Sequence, residues 1–154
     1  MAQFYKLQTD KDVEFTGAIV QNASEQENIV LTPALQGVNG TAQVFIRAIG
    51  IISDQNLAWE LQFWSTDGFE DSNLDLDSNV GRWTFQAADG VQIAGTGSYY
   101  YYIDGLSIPY YDDDHTGELH VSLVNRSATS KNAGATGEVV VKFWAEPMGW
   151  GEGA

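Results

Sequence analysis

The chain has no cysteine. Disulfides, thiolate metal sites and cysteine nucleophiles are therefore excluded, and stability has to come from packing and backbone hydrogen bonding. Basic residues are scarce as well: 7 Lys and Arg stand against 21 Asp and Glu, a net charge of −14 over 154 residues. A nucleic-acid binder needs a basic stripe to displace counterions from phosphates, and an anionic membrane surface asks for the same. Neither partner is expected. So strong a like charge keeps a chain soluble and opposes non-specific association. No apolar run of about eighteen residues is present, which leaves no candidate membrane helix. The stretch MAQFYKLQTDKDVEF lacks the apolar centre of a secretory signal, so the cytoplasm in which the chain is made is its expected first location.

What is present is alternation. In Leu57 to Trp64, LAWELQFW, Leu57, Trp59, Leu61 and Phe63 point one way and Ala58, Glu60, Gln62 and Trp64 the other. This period of two marks a half-buried strand. The same pattern recurs over Ala42–Ile52 (Val44, Ile46 and Ala48 inward), Arg82–Ala87, Glu118–Asn125 (Leu119, Val121 and Leu123 inward) and Glu138–Trp144 (Val139, Val141 and Phe143 inward). Shorter runs at Val13–Val20, Asn28–Leu31, Val91–Ala94 and Tyr99–Ile103 are further candidates. Asp-Gly and Asn-Gly dipeptides separate these runs, and Asp89-Gly90 reads as a tight hairpin turn. Eight or nine short strands with frequent turn signals predict one all-β domain over residues 1–154, an antiparallel sandwich of jelly-roll-like or immunoglobulin-like type. Residues 1–12 and 147–154 read as arms, with Phe4, Tyr5 and Trp150 as aromatic anchors that could dock on a neighbouring surface.

The chemistry-bearing clusters are few. Asp112-Asp113-Asp114-His115 offers oxygen and imidazole ligands, with Asp112, Asp114 and His115 as metal candidates; adjacent residues converge on an ion only if the loop folds back, and a solvated acidic loop needs no metal. EDSNLDLDSN at 70–79 imitates the start of an EF-hand loop but has Leu76 where the glycine belongs and Arg82 where the closing glutamate belongs. Six of the seven tyrosines fall between Tyr99 and Tyr111. On a strand Tyr99 and Tyr101 share one face and Tyr100 and Tyr102 the other. A tyrosine joins an apolar ring to a hydrogen-bonding tip, which suits interfaces and sugar stacking; Tyr99, Tyr101, Tyr110 and Tyr111 are the binding candidates. No paired-carboxylate spacing, no G-x-S-x-G and no phosphate loop is present. The chain is therefore expected to be a binding protein with no catalytic residues and no cofactor; a small hydrolase using Glu60, Glu118 or Glu138 stands as a distant alternative.

The stretch from Glu118 to Pro147 carries the most specific signal. A strand, LHVSLVN, leads through RSATSKNAGATG into VVVKFWAEP. The connection holds Arg126 and Lys131, two of the few cations, among small residues, as contact loops do. This order of strand, small-residue loop and aromatic-ended strand resembles the capsid-decoration, or cement, proteins of tailed bacteriophages. The resemblance covers about the last thirty residues. It implies a β-sandwich on the outside of a mature capsid, typically a homotrimer, that contacts the major capsid protein, bridges neighbouring capsomers and resides in the virion. An alternative from another class is a carbohydrate- or receptor-binding module built on the Tyr99–Tyr111 cluster with Trp64 or Trp144.

Overall fold

The computed structural model describes residues 5–8, 13–14, 21–22, 24–30, 35, 43–66, 78–95, 97–127 and 138–148. Among them lie eleven strand segments: β1 (Tyr5–Gln8), β2 (Val13–Glu14), β3 (Ser24–Val30), β4 (Gln43–Ser53), β5 (Trp59–Trp64), β6 (Asn79–Phe85), β7 (Val91–Gln92), β8 (Tyr99–Ile103), β9 (Ile108–Tyr111), β10 (Glu118–Asn125) and β11 (Glu138–Pro147). They form two antiparallel sheets. One runs β1-β11-β4-β8-β7, with β2 also on β11 and β9 also on β4; the other runs β3-β10-β5-β6.

The pairing register reduces eleven segments to nine strand positions. β1 and β2 lie end to end along β11, against residues 142–145 and 138–139. β8 and β9 lie end to end along β4, against residues 49–53 and 43–46. Apart from the short edge strand β7, each sheet then has four positions, and the chain changes sheet six times, between β2 and β3, β3 and β4, β4 and β5, β6 and β7, β9 and β10, and β10 and β11. That is the jelly-roll arrangement, one of the two sandwich types expected from the sequence. β10 and β11, consecutive along the chain, are not a hairpin: the loop between them crosses the sandwich.

The core is the set of inward faces that alternation marked. Trp59, Leu61 and Phe63 of β5, Leu119, Val121 and Leu123 of β10, and Val139, Val141 and Phe143 of β11 are all buried. Phe63 and Phe143 meet edge to face across the two sheets, centroids 5.7 Å apart. Each large apolar side chain removed from water contributes about 1.5–3 kcal/mol.

Four local expectations change. In β4 the inward set is Val44 and Ile46, then Ile49 and Ile51, because Ala145 pairs with Ile46 while Trp144 pairs with Ala48. Arg47 is the extra residue of a bulge, and it moves Ala48 to the outer face. Asp89-Gly90 is not a hairpin turn: a 3-10 turn at Ala87–Asp89 carries the chain from β6 in one sheet to β7 in the other. A Cβ on Gly90 would stand 2.7 Å from the Tyr101 ring, so glycine is required there by close approach. Part of the expected N-terminal arm, Tyr5–Gln8, is an edge strand of the sandwich itself. Pro147, the expected start of the tail, ends β11, and the Met148 N–H bonds to the Gln43 carbonyl.

Candidate functional site

The acidic loop after β9 is an internal fastening. Asp112 is fully buried. Its Oδ2 accepts from the Thr116 and Gly117 N–H groups at 2.8 Å each and from the Thr116 hydroxyl at 3.2 Å. Its Oδ1 accepts from the Asp114 N–H at 3.1 Å and faces His120 Nε2 at 3.3 Å. The turn that delivers these donors needs left-handed backbone at His115 (φ 58°) and Gly117 (φ 73°). His115 is not part of the cluster; its ring stands edge-on to Tyr111. His120 takes the place expected for it, so that ligand atoms of Asp112, Asp114 and His120 lie within 4.8 Å of one another. N–H donors fill the lone pairs of Asp112 that a cation would use, and the arrangement serves to close the loop between β9 and β10.

Tyr110 completes this fastening. Its hydroxyl lies 2.8 Å from the Trp64 carbonyl and 3.0 Å from the Glu118 carbonyl, and it accepts from the His120 N–H. Burial pushes the phenol far above its usual range, beyond what the His120 N–H offsets. Tyr101 is likewise a core residue. It bonds through its hydroxyl to Asn56 and the Leu57 carbonyl, and burial pushes its phenol up to about 12. Tyr101 and Tyr110, expected as contact residues, are therefore turned inward, because alternation along β8 and β9 gives them the core face. Tyr99 packs partly against the same core. Of the four candidates only Tyr111 is substantially exposed.

Arg126 is also committed. Its Nε and Nη2 donate to Glu60 Oε2 at 3.1 and 2.6 Å, and its Nη1 donates to Asn22. Burial works to raise the Glu60 pKa, but the bonds from Arg126, Gln62 and Thr84 outweigh it and hold the carboxyl below its usual range. A carboxylate so held is a poor proton donor, which counts against Glu60 as a general acid. Trp64, on the same face, is buried and donates to Ser122. It offers no open platform for a sugar. Phe4, Lys131 and Trp150 lie outside the described residues, and Tyr5 lies in β1, opposite Ala145.

The exposed chemistry gathers on the outer face of the seven-stranded sheet. Tyr100 and Tyr102, the alternates of Tyr101, point outward from β8; Trp144 does so from β11, since its neighbours Phe143 and Ala145 are buried. Tyr100 and Tyr102 stack nearly parallel, 6.1 Å apart, and Tyr102 meets Trp144 edge to face at 5.7 Å. Gly50 lies between them, and a Cβ there would press within 3.2–3.3 Å of the Trp144 ring and the Tyr100 hydroxyl. Register extends the surface through Val91 beside Tyr100, and Val140 and Ile52 in the same row. Lys6, opposite Trp144, and Lys142, opposite Gly50, stand on this face too. Alternation within Tyr99–Tyr102 already puts Tyr100 and Tyr102 on the face opposite Tyr101; that this face is the outer one, and their meeting with Trp144, come from pairing, with β4 lying between β8 and β11.

No protein-family model matches this chain, and no curated protein matches it.

Proposed function

We propose that this is a non-enzymatic virion structural protein that binds the outer surface of an assembled phage capsid and stabilises it by bridging neighbouring capsomers. The observation that carries the reading is the outer face of the seven-stranded sheet: an exposed aromatic and aliphatic strip with two lysines, on an otherwise acidic jelly roll. Surfaces of this kind mark protein contact. The resemblance of Glu118–Pro147 to decoration proteins supplies the partner, the major capsid protein, and a trimeric assembly. The buried carboxylates Glu60 and Asp112 are spent on internal bonds, which favours binding over catalysis. A protein that binds only the assembled lattice stabilises that lattice by mass action, and many copies add avidity.

Cosedimentation tests it. The protein should pellet with expanded capsids of its phage and raise their resistance to heat, and Val91→Glu with Val140→Glu should abolish both effects. Absence from purified particles would end this reading.

A carbohydrate- or receptor-binding module is the second reading. One observation favours it: Tyr102 and Trp144 form an open aromatic corner with polar groups at its rim. The jelly roll itself serves capsid and lectin domains alike, so the fold does not choose between the two.

A further inference from the structure

Between β4, β11 and the β8–β9 connection the outer face sinks into a hollow of about 640 Å³, lined by Arg47, Ala48, Tyr102, Asp104, Leu106 and Trp144. Small-ligand sites fall in this range of volume. Its walls are held in place before any ligand arrives. The Arg47 guanidinium pairs with Glu146 and donates to the Ser107 hydroxyl at 2.8 Å, while the Leu106 N–H bonds to the Arg47 carbonyl at 2.9 Å. The bulge at Arg47 thus ties the β8–β9 connection, with its left-handed Gly105 (φ 71°), to both β4 and β11.

Two ring planes meet in the hollow almost at a right angle, Tyr102 against Trp144 at 81°. Beside them stand the exposed Asp104 carboxylate and the Tyr102 hydroxyl, neither with a hydrogen-bond partner among the described residues. An apolar ligand would leave these polar groups unpaired. An anionic ligand would meet Asp104 and a molecule of net charge −14. A cation would meet the Arg47 guanidinium that lines the hollow, and Lys142, two strands away from Tyr102 across Gly50. What remains is a neutral ring with one apolar face and a rim of hydroxyls.

We propose that this hollow binds a single neutral pyranose unit of a glycan. The sugar ring stacks by its C–H face on Trp144 or Tyr102, and its hydroxyls donate to Asp104 and exchange hydrogen bonds with the Tyr102 hydroxyl. The inference rests on the outer face being the binding face; it does not rest on a capsid being the partner.

The test is saturation-transfer NMR on the full chain with lactose, cellobiose and N,N′-diacetylchitobiose, and with sialyllactose as the anionic control. At least one neutral disaccharide should bind saturably, with a dissociation constant on the order of 1 mM. Sialyllactose should bind more weakly than lactose. Tyr102→Ala should weaken binding at least ~10-fold, the equivalent of about 1.4 kcal/mol, and Trp144→Ala should do the same if its circular dichroism stays native. No saturable signal from any of the three neutral sugars, or binding that survives Tyr102→Ala, overturns the inference. The capsid reading fails separately: sugar binding with no cosedimentation sinks docking alone, and cosedimentation with no sugar binding sinks the pyranose site alone.

Discussion

The two outer faces of the sandwich use similar residue types in opposite ways. On the four-stranded sheet, Trp64 donates to Ser122, Ser122 to Gln62, Gln62 to Glu60, and Arg126 to both Glu60 and Asn22. A dip of about 220 Å³ lies there, but its polar groups are largely spent on one another. On the seven-stranded sheet, Tyr102, Trp144 and Asp104 line a larger hollow, and the exposed Tyr102 and Asp104 have no hydrogen-bond partner among the described residues. Internal satisfaction turns one face into structure. The other keeps its hydrogen-bonding capacity for something outside the molecule. Aromatic or charged residues alone therefore do not mark a binding face; free polar groups beside them do.

The comparison can be broken most forcefully at Asp112, next to the structural face. Asp112→Ala strips an acceptor from several buried N–H groups and should cost roughly 4 kcal/mol in urea unfolding. A loss under about 1 kcal/mol would show that the loop does not depend on it. Arg126→Ala comes next. It leaves Glu60 buried with the neutral Gln62 and Thr84 and only the exposed Arg82 guanidinium, 3.8 Å away, for charge, and about 2 kcal/mol is expected after allowing for solvent screening of the partly exposed Arg126 guanidinium.

The same pair predicts an acid limb. Because the Glu60 pKa is lowered by folding, its contribution is fully present above the unfolded carboxylate value and is lost as pH falls through the lower folded value. Stability measured across that window should fall less steeply in Glu60→Gln than in the parent chain; equal slopes would remove Glu60 from the account.

At the alkaline end Tyr101 acts in the opposite sense. Its phenol is raised to about 12, so unfolded chains ionise first and stability falls as pH climbs from the ordinary tyrosine range of about 10. Spectrophotometric titration should show a late ionisation step from Tyr101 and Tyr110, and Tyr101→Phe should remove part of it while costing about 1 kcal/mol.

The smallest effect on stability belongs to the binding face. Tyr102→Ala should change unfolding free energy by about 0.5 kcal/mol or less while removing ligand binding. A large destabilisation instead would make Tyr102 structural and erase the contrast between the faces.

Much of the fold is legible in the chain. The inward residues of β5, β10 and β11 follow from alternation alone, since one face of each strand is apolar enough to have only one place to go. The antiparallel sandwich was recognisable from strand number and turn spacing. The site was less so. Tyr101 and Tyr110 look like their neighbours in sequence, and only pairing decides that they face the core while Tyr102 does not. Arg126 reads as a free loop cation until Glu60, 66 positions away, takes it. His120 replaces His115 beside Asp112 because the turn folds back onto β10, which no local spacing reveals.

By itself the sequence determined an all-β, cysteine-free, strongly acidic domain whose strands have one apolar face each, because composition and a period of two are local properties. Tertiary structure alone decided which aromatics are core and which are surface. It also decided which carboxylates are neutralised, and it brought Tyr102, Trp144 and Asp104 to one corner. The reason is physical: those outcomes depend on a bulge at Arg47 and on β4 lying between β8 and β11, contacts made between residues far apart along the chain.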